Sequence, residues 1–235
     1  MTWKRRMLTT VARGVARRGF EVRRHPAARR AAVLERHGVD LVIDVGAADG
    51  GYGNELRSFG YAGDIVSFEP RADAFAALRT AIEGDPRWTA RQVALGPEPG
   101  EMSIHVSSNG TSSSLLPMLD RHREAAPWVE VVADVPVKVE RLDDEVADQV
   151  EGRRSLLKID TQGFEREVLA GGPRTLAAAT ALQLELSLVP LYDGAMLIDE
   201  AVSMAYDHGF VMVGIEQGYA APTGEILQFD GVFVR

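Results

Sequence analysis

Along this chain of 235 residues the spacing of the apolar positions changes repeatedly. "LVIDVG", residues 41–46, is a short, almost unbroken apolar run, the mark of a strand covered on both faces. "GNELRSFG" then reads as helix, "DIVSFEP" as strand, "RADAFAALRTAIEG" as helix and "WTARQVALG" as a further strand. "EMSIHVSS" and "VEVVADVPVKVERLD" alternate apolar and polar residues, as half-exposed strands do, on either side of a serine-rich loop. "SLLKID" resumes the buried pattern, "EREVLAGGPRTLAAA" is helical, "ALQLELSL" is a strand and "IDEAVSMAYDHG" a helix. The chain finishes on "FVMVGIE" and "ILQFDGVFVR", two strands with no helix between them. Strands alternating with helices over this length predict an α/β fold with a doubly wound, mostly parallel sheet, whose ligands gather at the C-terminal strand ends. A last pair joined without a helix predicts an antiparallel last strand.

Upstream, "PAARRAAVLERHG" carries a proline at its start and a glycine at its end, the punctuation of a helix. Before it, Leu8, Val11, Val15 and Val22 recur on one helical face. Charge changes the picture here. The net charge is −8, yet residues 1–30 carry +9, with Glu21 their one acidic residue, which leaves −17 for the rest. The expected organisation is a basic helical arm over 1–38 and a single catalytic-sized domain over 39–235. Three uses of the arm stay open: packing on the body or on a second copy in a homodimer, peripheral contact of residues 1–30 with an anionic membrane surface, and nucleic-acid contact. The acidic body repels phosphates and disfavours the last. Cysteine is absent, which rules out disulfides and fits a reducing cytoplasm. No run approaches the length of a membrane span, and no apolar segment follows the basic N-terminus as it would in a secretory signal.

The first strand-to-helix turn, "VIDVGAADGGYG", holds Asp44, Gly46, Gly50, Gly51 and Gly53. Glycines there let the backbone turn sharply and let a ligand approach it. Ala47 and Ala48 follow Gly46, so the G-x-G-x-x-G dinucleotide fingerprint is absent, as is a phosphate loop. Asp44 repels phosphate and favours an ammonium or sulfonium group. Glu69, ending "SFEP" some twenty residues on, is placed to accept hydrogen bonds from both ribose hydroxyls. Together they describe a cationic nucleoside without phosphates, which is S-adenosylmethionine.

At this point the chain resembles the FkbM family of S-adenosylmethionine-dependent methyltransferases. The resemblance is carried, in family order, by "IDVGAADGGYG", "VSFEPRADAF", "RQVALGPEPGEMSIHV", "SNGTSSSL", "VKVERLDD", "LLKIDTQGFEREVLAGG", "LQLELSLVPLY" and "FDGVFVR", over roughly residues 40 to 235. It implies the class I methyltransferase fold, Rossmann-like and seven-stranded, and methyl transfer to a hydroxyl of a sugar, glycolipid or polyketide-type metabolite. It also implies that Asp44, Gly46 and Tyr52 surround the methionine part of the donor. Glu69 would hold the ribose, Pro70 and Arg71 would shape the adenosine pocket, and Val93 and Ala94 would line the adenine. Asp49 departs from the family's usual neutral residue. It either meets the methionine ammonium or caps the following helix.

Methyl transfer from a sulfonium needs an oxygen aligned behind the methyl carbon and a group to take its proton. Asp160, ending the fourth strand, and Glu185, interrupting the apolar fifth, are the candidates, as base and orienter or as ligands of a shared divalent cation such as magnesium. Lys158, two before Asp160 and so on the same strand face, is expected to pair with Asp160, hold the acceptor, or form a buried ion pair with Glu185. The five histidines show no ligand spacing, and His122 alone merits a test as a base. "SSNGTSSSLL" contains no nucleophile elbow and reads either as a polar loop that closes over the site or as an ordinary hairpin loop. Trp128, Tyr192 and Tyr219 are candidate flat surfaces for a sugar ring. Two rivals remain: a nucleic-acid methyltransferase, for which "DTQG" lacks the usual [ND]-P-P-[FYW], and a non-catalytic binding protein on the same fold.

Overall fold

The computed structural model describes residues 15–20 and 25–235. Its main sheet is built from β1 (Leu41–Val45), β2 (Asp64–Phe68), β3 (Trp88–Arg91), β7 (Ser155–Ile159), β8 (Ala181–Ser187), β9 (Val211–Gln217) and β10 (Gln228–Val234). They lie in the order β3-β2-β1-β7-β8-β10-β9. The expected antiparallel strand is β10, which inserts between β8 and β9 and runs against both. The six parallel strands end on one rim, where β10 begins, and the turns that follow β1, β2 and β7 lie there with the candidate chemistry.

Period-two alternation sorts the side chains into two cores. Leu41, Ile43 and Val45 of β1 face one core, with Leu157 and Ile159 of β7 and Leu182 and Leu184 of β8. That face is covered by α5 (Leu142–Val150), α6 (Glu165–Ala170), α7 (Pro173–Ala178) and α8 (Ile198–Asp207), through Val146, Val168, Leu176 and Ala201. Val42, Leu156, Ala181 and Val234 face the other core, under Leu34 of α1 (Pro26–Arg36), Leu56 of α2 (Gly51–Ser58) and Leu78 of α3 (Ala72–Ala81).

"WTARQVALG" is not one strand. It divides into β3, at the edge of the main sheet, and β4 (Ala94–Gly96), which pairs with β6 (Val131–Arg141) in a separate three-stranded sheet. The apolar pattern is interrupted at the break, where Arg91 and Gln92 are exposed, before Val93, Ala94 and Leu95 are buried again. The hairpin of β5 (Gly100–Ser107) and β6 completes that small sheet, and between them lie the serine-rich loop and α4 (Asp120–Ala125).

Of the 1–38 segment, α1 packs on the body. Proline opens the helix, His25 Nδ1 accepts from the Ala27 backbone N–H at 3.3 Å, and Ala27, Arg30 and Leu34 are its buried positions. The expected helix face of Leu8, Val11, Val15 and Val22 lies, except for Val15, outside the described residues. Among the described residues no helix is long and apolar enough to cross a membrane.

Candidate active site

A cavity of about 480 Å³ opens at the rim of the sheet, within the range of small-molecule sites. Its lining includes Gly46, Glu69, Pro70, Arg71, Val93 and Ala94, Asp160 and Gln162, and His122, Trp128, Glu185, Tyr219 and Gln228. The β1–α2 turn lies so close to the end of β7 that a Cβ on Gly46 would come within 1.8 Å of the Asp160 carbonyl oxygen, and its φ is +77°. Only glycine satisfies both demands. Glu69 is buried, and each carboxylate oxygen has a backbone donor: Arg71 N at 2.9 Å to Oε1 and Ala48 N at 3.0 Å to Oε2. Burial raises its pKa against the pull of these bonds.

The serine-rich loop is tied down across this cavity. Arg71 Nη1 donates to the Gly110 carbonyl at 2.7 Å and to Ser113 Oγ at 3.1 Å, and Ser114 Oγ donates to the Gln162 carbonyl at 2.7 Å. The Tyr192 hydroxyl lies 3.1 Å from the Ser112 carbonyl and 2.9 Å from Gln162 Oε1.

Gln162 organises the middle of the site. Its Nε2 donates to Asp160 Oδ1 at 3.1 Å and to Glu185 Oε2 at 2.9 Å, and Gln228 Nε2 reaches the same Glu185 oxygen at 2.9 Å. Gln162 has a φ of +55°, a left-handed conformation that is unfavourable for a non-glycine residue. The surrounding bonds hold it there. Burial, and then the neighbouring Asp160, Glu165 and Asp230 carboxylates, push the Glu185 pKa well above the ordinary carboxylate range. The same causes, burial and then Asp160, raise Asp230 to about 7.

Lys158 lies further back on the strand face that carries Asp160. Parallel register sets it beside Asp44 on β1 and beside Gln183 on β8. Its ammonium lies 3.0 Å from Asp44 Oδ1 and 3.8 Å from Asp160 Oδ2, and donates to the Gly46 carbonyl at 2.9 Å. Burial disfavours its charge, yet Asp44 and Asp160 hold its pKa above the ordinary lysine value. Ser67 Oγ donates to the second Asp44 oxygen at 3.0 Å, and Trp88 Nε1 donates to Ser67 Oγ at 3.0 Å. Beyond Lys158 a second cavity, of about 410 Å³, is lined by Arg30, Gly51, Tyr52, Asp160, Gln183, Glu216 and Asp230 among others. The two cavities share Asp160.

Residues 44–212 match the family described as the methyltransferase FkbM domain. The chain belongs to the FkbM methyltransferase family. It is also similar to the 2-O-methyltransferase NoeI of Sinorhizobium fredii (strain NBRC 101917 / NGR234), 25% identical over 162 residues that cover 66% of this chain and 67% of that protein. Among solved structures, a candidate methyltransferase from Thermobifida fusca YX superposes with a TM-score of 0.51 at 10% identity, covering 89% of this chain and 78% of its own. That likeness bears on the fold alone. Aeropyrum pernix fibrillarin with natively bound S-adenosyl-L-methionine gives a TM-score of 0.48 at 11% identity, over 89% of this chain and 76% of that one.

Within this FkbM domain the expected site residues separate into groups. Gly46, Glu69, Pro70, Arg71, Val93, Ala94, Asp160 and Glu185 line the first cavity; Tyr52, Lys158 and, again, Asp160 line the second. Asp44 is fully buried behind Lys158 and lines neither cavity. Asp49 is exposed, and its Oδ1 accepts from the Gly51 backbone N–H at 3.1 Å in the first turn of α2. Lys158 pairs with Asp44 rather than with Glu185, whose partners are Gln162 and Gln228. Among the described residues no group of three or more His, Asp or Glu is arranged to hold a metal ion. Arg30, Gln183, Glu216 and Gln228 went unrecognised in the sequence. The polar Gln183 inside apolar "LQLELSL" was the one available signal.

Proposed function

We propose that this FkbM-family chain is an S-adenosylmethionine-dependent O-methyltransferase that methylates a hydroxyl of a small acceptor, a sugar or a sugar-bearing metabolite. One observation carries it: a single cavity is lined both by a backbone-anchored glutamate, Glu69, and by the Gln162-bridged pair Asp160 and Glu185. The residues fit an adenosyl donor. With a backbone N–H on each oxygen, the Glu69 carboxylate is fixed in place and has lone pairs left to accept from ribose hydroxyls. The glycine turn leaves the main chain bare where the donor would pass. The second cavity presents both signs of charge, with Arg30 and Lys158 set against Asp160, Asp230 and Glu216, which suits the zwitterionic amino acid end of the donor.

When bound, the donor supplies a methyl group on a sulfonium. The chain's part is alignment, exclusion of water and custody of the hydroxyl proton. Glu185, whose pKa is raised by burial and by Asp160, is the proton acceptor. A base with a pKa nearer the working pH is the more effective one. Asp160, tied to Gln162 and close to Lys158, orients the acceptor oxygen. The 2-O-methyltransferase NoeI supports oxygen as the target, and Trp128 and Tyr219 in the cavity wall offer flat faces to a sugar ring.

The test is a screen of acceptor classes (mono- and oligosaccharides, glycosylated metabolites, RNA) with isotopically labelled methyl donor, with and without chelator. Label on a hydroxyl oxygen of a sugar-bearing acceptor is expected. Label only on RNA, or no donor binding at millimolar concentration by calorimetry, overturns the proposal.

A further inference from the structure

Residues 44–212 carry the family match, but the second cavity has walls from outside that stretch. α1 and its N-cap supply Pro26, Arg30 and His25, and the C-terminal strands supply Glu216 and Asp230. Arg30 is the notable member. An arginine is rarely buried unless it is paired, and this one is 3% exposed. Its Nη1 donates to Glu216 Oε2 of β9 at 2.5 Å, and its Nη2 donates to Glu55 of α2. Its guanidinium carbon sits 4.5 Å from the centre of the Tyr52 ring, on whose other contacts the cavity depends. The Tyr52 hydroxyl donates to Gln183 Oε1 at 2.8 Å, and the Lys158 ammonium lies 5.2 Å from the centre of the same ring.

One guanidinium therefore joins three elements around a tyrosine that is shared with Lys158. A guanidinium suits this task because its planar fork bonds two carboxylates while stacking on a ring. We propose that α1 is part of the donor site, with Arg30 as a positioning residue. It sets Tyr52 as a wall of the second cavity and neutralises Glu216 and Glu55 beside the place an amino acid tail would take. This rests on the donor assignment above and extends it to a residue outside the matched domain. At least one arginine of the basic N-terminal segment then serves the site rather than an external surface.

The experiment is calorimetry on the full-length protein with two ligands: S-adenosylhomocysteine, which has the amino acid tail, and methylthioadenosine, which lacks it. In Arg30→Met the expected result is a tenfold or greater loss of affinity for S-adenosylhomocysteine with methylthioadenosine affinity unchanged. Arg30→Lys, which keeps the charge but not the fork, should recover part of the loss. Equal weakening of both ligands would mean that Arg30 only holds the fold together, and no weakening of either would mean that it does nothing for the donor. Each result overturns the proposal. Should Arg30→Met fail to fold, Tyr52→Leu, judged by the same ratio of the two affinities, decides. If the wild type binds methylthioadenosine no worse than S-adenosylhomocysteine, the tail has no site and this inference fails while the nucleoside site stands. If it binds neither ligand, the donor assignment falls too.

Discussion

A lysine and a carboxylate at the end of a core strand are compatible with a stable sheet only because each has partners. Lys158 has Asp44 at 3.0 Å and two backbone carbonyls, and Asp160 has Gln162. Glu185 differs, since its bonds come from neutral amides and its carboxylate neighbours repel its charge. A base titrating above the ordinary glutamate range leaves a signature. The acidic limb of the kcat/KM–pH profile should rise at a pH well above 4.5, because the base works only when deprotonated. Glu185→Gln should lower kcat by about 10²–10⁴-fold, the usual worth of a general base, and remove that limb. A profile unchanged in Glu185→Gln would assign the base elsewhere. Asp160→Ala should reduce turnover on a similar scale, with a smaller loss of donor affinity by calorimetry because Asp160 also lines the second cavity. Unchanged turnover would take Asp160 out of the reaction.

At the scale of elements, the critical contact is the turn after β1 lying on the end of β7. Gly46→Ala would force a left-handed alanine, a penalty of about 1–2 kcal/mol. It would also drive a methyl group into the Asp160 carbonyl, adding about 1–3 kcal/mol of overpacking. Urea unfolding should show the combined loss, and donor binding should fall because the moved backbone carries both Glu69's partner Ala48 and Asp160. A variant as stable as the wild type would mean that the turn is slack. Most strands and helices were legible from periodicity, and so was the place of Asp160, because a charge ending an apolar run marks a strand end; α4 and α5 were not, and "EREVLAGGPRTLAAA" divides into α6 and α7. Inter-strand register was not legible. The partnership of Lys158 with Asp44 depends on β1 and β7 lying side by side with residue 44 opposite residue 158, which no single strand encodes. The split of "WTARQVALG" was signalled only by Arg91 and Gln92, the two exposed polar residues that stand at the break.

For the molecule as a whole, the crowding of carboxylates at one rim ties stability to pH. Glu165 is the clearest contributor. It is buried at the start of α6, and its Oε1 accepts from Thr161 N at 2.9 Å, Gly163 N at 3.1 Å and Thr161 Oγ1 at 3.2 Å. Burial outweighs those bonds and raises its pKa from 4.5 to about 7. A folded pKa above the unfolded one means that the native state holds more protons between the two values, so stability falls as pH rises through that window. At about 1.4 kcal/mol per unit, the shift corresponds to roughly 3 kcal/mol lost between pH 4.5 and 7, and Asp230 contributes in the same direction. Urea unfolding midpoints measured from pH 5 to pH 8 should therefore decline for the wild type. Glu165→Gln, which cannot ionise and keeps an acceptor oxygen, should flatten that decline, with its advantage over the wild type greatest at pH 8. Parallel curves for the two proteins would mean that Glu165 is ionised in the native state throughout, its hydrogen bonds outweighing its burial.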